Sequence, residues 1–536
     1  IDTAMAETDS EQEKAEKLAG DSPAKESSLL KSSGITGSMT MVSRLLGLVR
    51  DVVIARMFGA SDGADAFFFA NKIPNFMRRL FAEGAFNQAF VPVLSEYRST
   101  RSLGDVKILI NAVAASLGGI LSILTLIMLI AAPVIAIPIA FGWFSDDPEK
   151  FALFVQMLRI TFPYLLLISL TALCGSILNS YGRFAIPALT PALLNISLIS
   201  CAVFLSPHME VPEMALAWGV LIAGVTQFLF QLPFLARLGL LPMPAVAKKH
   251  EGVERIKKLM LPALFGVSVS QINLLLDTVI ASFLVAGSVS WLYFSDRLME
   301  LPLGIFGIAI AIVVLPSLSR KHAESSMGEF SETLDWAFRL VCLIAIPASL
   351  ALVLIAEPLL VTLFQNDNFT ATEVMRSSGS LKAYSIGLIA FMAIKIFAPG
   401  YYARQDTTTP VKIGVIAMAT NMVLNISFFF AGMAHVGLAL ATSLAAFLNG
   451  GLLLRGLQKK KVFQFQPGWS VFIARMIVAN CAMAIFLEMN SDSLEQWLLW
   501  DNFTQVSQLG ILVVGGIVIY AVTLFAVGIR WKHIYR

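Results

Sequence analysis

Long apolar runs alternate with short polar stretches along most of this chain, a pattern typical of membrane-spanning helices. Fourteen of these runs are long enough to cross a bilayer as a helix. The pattern therefore predicts an all-α polytopic membrane protein with 14 transmembrane helices, which we number as runs 1 to 14. They cover residues 34–57, 63–96, 106–141, 149–181, 184–205, 212–238, 253–286, 288–319, 329–364, 371–403, 409–432, 434–457, 468–489 and 506–530.

The composition supports this class of protein. Hydrophobic residues make up 57% of the 536 residues and charged residues 14%, whereas soluble proteins carry about 25% charged residues. Residues 1–33 are the exception, because they hold eight acidic residues and four lysines and few large apolar ones. We therefore expect residues 1–33 to form a disordered acidic extension, for which the sequence indicates no function.

The charge of the loops predicts the orientation in the membrane. Basic residues follow the even-numbered runs, as in Lys459, Lys460 and Lys461 after run 12. Acidic residues follow the odd-numbered runs, as in Asp146 and Asp147 after run 3. Because cytoplasmic loops carry an excess of Lys and Arg, both termini are predicted to lie in the cytoplasm.

An internal repeat divides the chain into two halves. Residues 51–69 resemble residues 277–294 with one deletion, and LLNIS at 193–197 resembles VLNIS at 423–427. The copies are six runs apart and so have the same membrane orientation, which predicts two pseudo-symmetric six-helix lobes with a substrate site between them near the midplane. The predicted domains are an N-lobe (34–241, runs 1–6), a C-lobe (242–461, runs 7–12) and two C-terminal helices with a cytoplasmic end (462–536).

The first two runs carry an unusual number of charges for membrane helices. An arginine near the bilayer centre costs about 2.5–3.5 kcal/mol, so such residues normally face a bundle interior or a watery cavity. Arg56 is different, because it lies near the end of its run, where we expect it to reach the lipid head groups. The charges in the cavity are expected to come from Arg44, Arg50, Asp65, Lys72, Arg78, Arg79 and Glu83.

The C-lobe repeats this placement of charge. Asp296, Arg297 and Glu300 lie in run 8, where Arg297 and Glu300 are also spaced for a local ion pair. Asp277 in run 7 is expected to pair with a cavity cation or to bind a coupling ion. A cavity whose deep charges are mostly basic selects an anion, and arginine suits the oxygens of phosphate and pyrophosphate.

Catalysis is not expected. The chain has no Walker loop and no zinc-protease or paired-histidine motif, and its four cysteines are scattered singly in apolar runs. We expect no cofactor and no nucleic-acid partner. Transport would instead draw on a coupling ion or on the membrane potential, which supplies about 2.3 kcal/mol per charge per 100 mV.

Four segments resemble the MurJ (MviN) family of bacterial lipid II flippases, within the multidrug/oligosaccharidyl-lipid/polysaccharide (MOP) exporter superfamily. They are SMTMVSRLLGLVRD (38–51), ADAFFFANKIPNFMRRLFAEGAFNQAFVPVLSEY (64–97), SVSWLYFSDRLMELPLGIFGIAI (288–310) and PGYYARQDTTTPVKI (399–413). The resemblance implies transport of undecaprenyl-pyrophosphate-linked MurNAc-pentapeptide-GlcNAc from the inner to the outer leaflet of the bacterial cytoplasmic membrane. Its implied partners are lipid II, membrane lipids and proteins of cell-wall synthesis.

The resemblance also implies functional residues. It points to Arg44, Arg50, Arg78 and Arg297 as substrate-binding arginines. It implicates Asp65 and the region of Ser290 and Glu300 as well, and it implies that runs 13 and 14 form a hydrophobic groove for the polyprenyl tail.

Two other functions remain open at this point. One is a multidrug or other polysaccharide-lipid exporter of the same superfamily, and a drug exporter for organic cations would have net acidic charge in its cavity and about twelve helices. A non-transporting scaffold for cell-wall enzymes would use its charges as packing ion pairs. Such a scaffold would tolerate Arg→Lys changes, which a bidentate pyrophosphate site would not.

Overall fold

The computed structural model describes residues 26–80, 86–243, 250–324 and 326–529, and all regular elements in these residues are helices. The helices of the first half are α1 (Glu26–Phe58), α2 (Asp62–Arg78), α3 (Phe86–Thr100), α4 (Leu103–Ile139), α5 (Phe141–Asp146), α6 (Pro148–Thr161), α7 (Tyr164–Ser180), α8 (Ala185–Ser200) and α9 (Met214–Arg237).

The second half contains twelve further helices. They are α10 (Glu251–Ala281), α11 (Ser288–Pro302), α12 (Ile308–Ala323), α13 (Met327–Leu354), α14 (Ala356–Phe364), α15 (Ala371–Ile386), α16 (Leu388–Tyr402), α17 (Thr408–Phe430), α18 (Ala434–Lys459), α19 (Trp469–Asn490), α20 (Leu494–Leu499) and α21 (Asn502–Ala526).

Ten helices or continuous helix pairs in the described residues are long and apolar enough to cross a membrane. They coincide with ten of the fourteen predicted runs. The other four runs, 34–57, 63–96, 253–286 and 288–319, also fold as helices, but these helices carry the deep charges. The prediction of an all-helical, multi-pass membrane protein is confirmed.

The two halves share a detail of helix geometry. The backbone of Arg79 and Leu80 leaves α2 in a π-helical turn, and Leu303–Gly307 forms a π-helix between α11 and α12. These turns lie 224 residues apart, which is the offset between the repeated segments AFVPVLSE (89–96) and VVLPSLSR (313–320). The internal repeat is therefore visible in the backbone as well as in the sequence.

Aromatic side chains fill much of the interior. Phe67, Phe69, Phe154 and Phe294 are almost fully buried within one large cluster that joins both halves of the chain. Lipid tails are as apolar as these side chains, so membrane helices associate through close packing rather than through the hydrophobic effect. Tight contacts such as that of Gly142 in α5 against the backbone of Ser282 are therefore important for this fold.

We call the end of the bundle where α2 and α11 begin the Asp65 end. Here α1 and α14 cap each other across the two halves of the chain. Arg56 donates to the carbonyl oxygens of Thr362 and Leu363 at 3.0 Å each. In return, the amide of Asn368 donates to the carbonyls of Arg56 and Met57 at 3.0 and 3.1 Å.

The expectation that Arg56 reaches the lipid head groups is therefore wrong. The carbonyl groups in the last turn of a helix lack partners within the helix, and they carry a partial negative charge. The guanidinium of Arg56 satisfies two of these carbonyls at the end of α14. The sequence could not reveal this contact, because the acceptors are backbone atoms about 300 residues away.

Gly59 tests this contact between α1 and α14. Its φ is +60°, and a Cβ would lie 2.0 Å from the carbonyl oxygen of Asn368. We expect Gly59→Ala to lower the thermal unfolding midpoint of the purified protein, because the backbone strain alone costs about 1–2 kcal/mol. Gly119→Ala is the control, since no atom lies within 4 Å of a Cβ there. Equal midpoints for the two variants would contradict the prediction.

Candidate functional site

A central cavity of about 400 Å³ lies between the two halves of the chain. Helices α1, α2 and α8 line it on one side, and α10, α11, α15 and α18 line it on the other. Its polar face carries five basic and three acidic residues, so the lining is net cationic. These residues are Arg50, Lys72, Arg78, Arg79, Arg297, Asp277, Asp296 and Glu300.

Arg50 is held in place by a network that spans the cavity. Its guanidinium donates to Asp51 at 2.7 and 2.9 Å, to Asn195 at 2.9 Å and to the hydroxyl of Tyr293 at 3.2 Å. Asp51 also accepts a hydrogen bond from Tyr293 at 3.0 Å. The network connects α1 with α8 in the first half of the chain and with α11 in the second. Arg50 is therefore preorganised, with one carboxylate balancing its charge.

Arg297 faces the same cavity from α11. It pairs with Glu300 at 2.6 Å, which is the local ion pair that the spacing allowed, and its guanidinium carbon lies 5.0 Å from the centre of the Tyr293 ring. The Nε of Arg297 is buried and finds no hydrogen-bond acceptor among the described residues. A buried donor without an acceptor costs free energy, so Arg297 has an unused N–H for a ligand oxygen.

The other cations extend along α2. Lys72, Arg78 and Arg79 line the cavity, and Arg78 Nε donates to the amide oxygen of Asn75 at 3.3 Å. Asn71 and Asn75 lie beside them and supply neutral polar groups. Together with Arg50 and Arg297, these residues place guanidinium and ammonium groups on both sides of one space.

Three of the predicted site residues that the structure describes do not line this cavity. The guanidinium of Arg44 fills the space beside Gly304, in the π-helix that follows α11. Asp65 and Ser290 are buried at the Asp65 end, outside the cavity lining. Glu83 lies outside the described residues.

Asp65 links α2 to the start of α11. Its carboxylate accepts hydrogen bonds from the backbone N–H groups of Gly287 and Ser290 at 2.8 Å each, and from the Ser290 hydroxyl at 2.6 Å. These are the otherwise unpaired N–H groups at a helix N-terminus, where a negative charge is favourable. Asp65 is 1% exposed. The contact joins the two halves of the chain at the Asp65 end of the bundle.

Lys150 supports this contact from α6. It is 5% exposed, and its ammonium binds Asp65 at 2.9 Å and Asp62 at 2.7 Å. Sequence reasoning did not assign it to the site. One signal was available, since Lys150 is almost the only cation in the acidic loops that follow the odd-numbered runs.

Asp277 occupies the C-lobe side of the cavity. Its Oδ1 accepts hydrogen bonds from the amides of Asn421 at 2.9 Å and Asn425 at 2.6 Å, both on α17. Nothing in the described part of the chain donates to the Oδ1 of Asn425. The two amide groups donate to one carboxylate oxygen and so hold Asp277 in place at the wall of the cavity.

Comparison with known proteins identifies the family. The family model described as "Lipid II flippase MurJ" matches residues 54–506. The chain belongs to the MurJ family. It is 48% identical over 508 residues to the "Probable lipid II flippase MurJ" of Haemophilus influenzae, covering 92% of this chain and 99% of the relative. It is also 43% identical to the "Lipid II flippase MurJ" of Burkholderia cenocepacia, covering 83% and 87%.

Solved structures agree with membership of the MurJ family. One described as "Lipid II flippase MurJ, inward closed conformation" superposes with a TM-score of 0.75 at 27% identity, covering 91% of this chain and 97% of that one. An inward-facing multidrug resistance MATE transporter of the MOP superfamily superposes with a TM-score of 0.64 at 13% identity, covering 80% and 98%. Because the MATE transporter is only 13% identical, its similarity supports the fold of this chain and nothing further.

The contact of Asp65 with Gly287 and Ser290 can be tested with the Asp65→Asn variant. The loss of charge weakens the hydrogen bonds from Gly287 and Ser290, each worth about 1.5–3 kcal/mol when the acceptor is charged. We expect the backbone amides of residues 283–293 to exchange with deuterium at least about tenfold faster in the variant. Asp62→Asn is the control, because Asp62 also binds Lys150 but makes no hydrogen bond to α11. Unchanged exchange in Asp65→Asn would show that this contact does not join the two halves of the chain.

Proposed function

We propose that this protein is a lipid II flippase. It moves the undecaprenyl-pyrophosphate-linked disaccharide-pentapeptide from the inner to the outer leaflet for peptidoglycan synthesis. Membership of the MurJ family supports this assignment, and the net cationic cavity supplies a physical reason. The observation that carries the proposal is the net cationic lining of the cavity, in which Arg297 is one of five basic residues and has a buried Nε without an acceptor in the described residues.

Pyrophosphate fits this donor set better than other lipid head groups do. Its oxygens accept forked hydrogen bonds from guanidinium groups, and such charge-assisted bonds are roughly twice as strong as neutral ones. Arg50 and Arg297 both contact Tyr293, and Lys72, Arg78 and Arg79 lie along α2. We assign pyrophosphate binding in the cavity to Arg50, Arg78 and Arg297, and a supporting role to Lys72, Arg79, Asp296 and Glu300. Arg44, which the resemblance also implied, lies beside Gly304 outside the cavity lining.

We further propose that all fourteen runs cross the membrane. The N-lobe (34–241) and the C-lobe (242–461) form two six-helix units, and residues 462–536 add two helices and a cytoplasmic end. The sequence repeat and the paired π-helical turns support this division. The basic loops after the even-numbered runs support a position in the bacterial cytoplasmic membrane with both termini in the cytoplasm.

Transport in this proposal is alternating access. The closed contact of Asp65 with Gly287 and Ser290 blocks the outer side, and the cavity opens to that side when the lobes rock apart. A volume of about 400 Å³ is also too small for a whole disaccharide-pentapeptide, so the lobes must separate to admit the head group. Asp65 and Ser290 therefore act as gate residues, a role that differs from the cavity position expected from the sequence.

The repeat suggests how a cation could drive this movement. Asp51 and Asn195 in the N-lobe correspond in the repeat to Asp277 and Asn425 in the C-lobe. In the N-lobe, the guanidinium of Arg50 bridges the carboxylate and the amide. The residue before Asp277 is Leu276 instead of an arginine, and the amides of Asn421 and Asn425 donate to this carboxylate where a guanidinium binds Asp51. We propose that Asp277 and Asn425 bind a transported monovalent cation, with Na⁺ as the simplest choice.

Two alternatives fit the structure less well. A drug exporter for organic cations needs net acidic charge in its cavity, whereas five of the eight charged residues that line this one are basic. A packing scaffold needs its arginines balanced by carboxylates, whereas five basic residues and three acidic ones line this cavity. Proteins of cell-wall synthesis remain proposed partners of the transporter.

Substitution of the arginines tests the flippase assignment. We expect Arg50→Ala, Arg78→Ala and Arg297→Ala to abolish growth of cells depleted of their own flippase, with lipid II accumulating in the inner leaflet. Arg297→Lys should fail too, because lysine lacks the forked donors. Arg183→Ala changes an exposed loop arginine and should support growth. If the cavity variants do not accumulate in the membrane, or if growth persists, the assignment of the site is wrong.

The coupling cation has a separate test. At a concentration about 100-fold above its dissociation constant, a ligand stabilises the folded state by about 2.7 kcal/mol. We expect NaCl to raise the unfolding midpoint more than choline chloride at the same ionic strength. Asp277→Asn should lose this difference, while Asp296→Asn, another cavity aspartate, should keep it. No preference for Na⁺ in the unsubstituted protein would leave the membrane potential as the driving force.

A further inference from the structure

A second cavity of about 370 Å³ lies apart from the central one. Helix α13 forms one wall, the start of α19 forms another, and Ile529 beyond α21 closes it. No residue lines both cavities. Two arginines, Arg339 and Arg475, face the second cavity together with apolar and aromatic side chains.

Arg339 is fixed in this cavity by several contacts. Its Nε binds Asp335 at 2.8 Å, and its Nη2 donates to the carbonyls of Gln466 and Pro467 at 3.1 and 3.0 Å. The guanidinium carbon also lies 5.1 Å from the centre of the Trp469 ring. The guanidinium plane of Arg339 is thus fixed by one carboxylate, two carbonyl groups and one aromatic ring. A guanidinium held in this way loses little freedom when it binds an anion.

Arg475 has a less complete set of partners. Its Nη1 donates to the carbonyl of Gly528 at 3.1 Å, and no described carboxylate pairs with it. It lies about 9 Å along α19 from Trp469, at 1.5 Å per residue. Its neighbours Ile473 and Ile477 are exposed apolar residues, which in a membrane helix face lipid. An arginine between such faces and the head groups keeps its guanidinium available to an anion of the interface.

The start of α19 adds to the positive potential. Gly468 is its N-cap, with a φ of +93° and no side chain to bond the first N–H groups of this 22-residue helix. Gly468 and Val471 both line the cavity. The helix N-terminus therefore contributes partial positive charge beside the two guanidinium groups.

The position of the cavity indicates what kind of anion it takes. The loop between α18 and α19 carries Lys459, Lys460 and Lys461, and Trp336 and Trp469 lie near the cavity. Lysines and tryptophans of this kind mark the level of the lipid head groups. An anion at this level with apolar helix faces beside it is the phosphate of a membrane lipid.

We propose that this cavity binds the phosphodiester of an anionic glycerophospholipid. Arg339 and Arg475 contact the phosphate oxygens, and the acyl chains lie against the exposed apolar faces of α19 and α21. Because the Asp335 carboxylate balances only Arg339, the net charge favours an anionic lipid over a zwitterionic one. The lipid would join α13 of the C-lobe to the two C-terminal helices.

Native mass spectrometry of the full chain tests this proposal, with phosphatidylglycerol, phosphatidylcholine and inorganic phosphate as separate probes. We expect phosphatidylglycerol to be retained in preference to phosphatidylcholine, and millimolar phosphate not to displace it. Arg475→Gln should bind phosphatidylglycerol about tenfold more weakly, which corresponds to about 1.4 kcal/mol. Arg237→Gln is the matched control, because it removes the same charge from a helical arginine that lines neither cavity.

A second variant tests the proposal independently, in case Arg475→Gln does not fold. Val471→Phe fills the cavity without changing its charge and should also weaken retention of phosphatidylglycerol. Val478→Phe adds the same bulk to an exposed position of α19 outside the cavity and should not. Retention at the original affinity in both Arg475→Gln and Val471→Phe would overturn the proposal. Displacement of the lipid by inorganic phosphate would overturn it as well, because the site would then bind a soluble anion.

Discussion

The cost of placing charge inside a membrane governs this structure. An arginine near the bilayer centre costs about 2.5–3.5 kcal/mol, so the charged helices α1, α2, α10 and α11 must meet in a shared polar interior. The ten apolar helical segments provide surface for lipid contact. Within the interior, nearby carboxylates form ion pairs with basic side chains, as in the contacts of Arg50 with Asp51 and of Arg297 with Glu300. The arrangement of two halves around one cavity follows from this constraint.

The two halves differ in the hydrogen bonds made by one equivalent pair of polar residues. Asp51 and Asn195 in the first half hold a guanidinium that is part of the chain. Asp277 and Asn425 in the second half contact each other directly. The equivalent carboxylates therefore have different partners: Asp51 accepts hydrogen bonds from Arg50 and Tyr293, and Asp277 accepts them from two asparagine amides.

Much of this structure could be predicted from the sequence. Hydropathy identifies the helices because bilayer thickness sets their length. Charge within an apolar run identifies the cavity, and all eight charged residues in its lining were predicted. Asp65 was misplaced, because its seven-residue spacing from Lys72 indicates a shared helix face and says nothing about depth. Its partners are mainly backbone N–H groups of another helix, and backbone atoms leave no signal in a sequence. The contacts of Arg56 could not be predicted for the same reason, because their acceptors are backbone carbonyl groups.

Lys150 gives the closure at the Asp65 end a further property. It belongs to the same half of the chain as Asp65, and its ammonium lies 2.9 Å from that carboxylate. On α11 the carboxylate meets only uncharged donors. In the opening proposed above, the ion pair stays within one half, so opposite charges are not separated. Opening then requires water to replace only the hydrogen bonds that Gly287 and Ser290 donate to the Asp65 carboxylate.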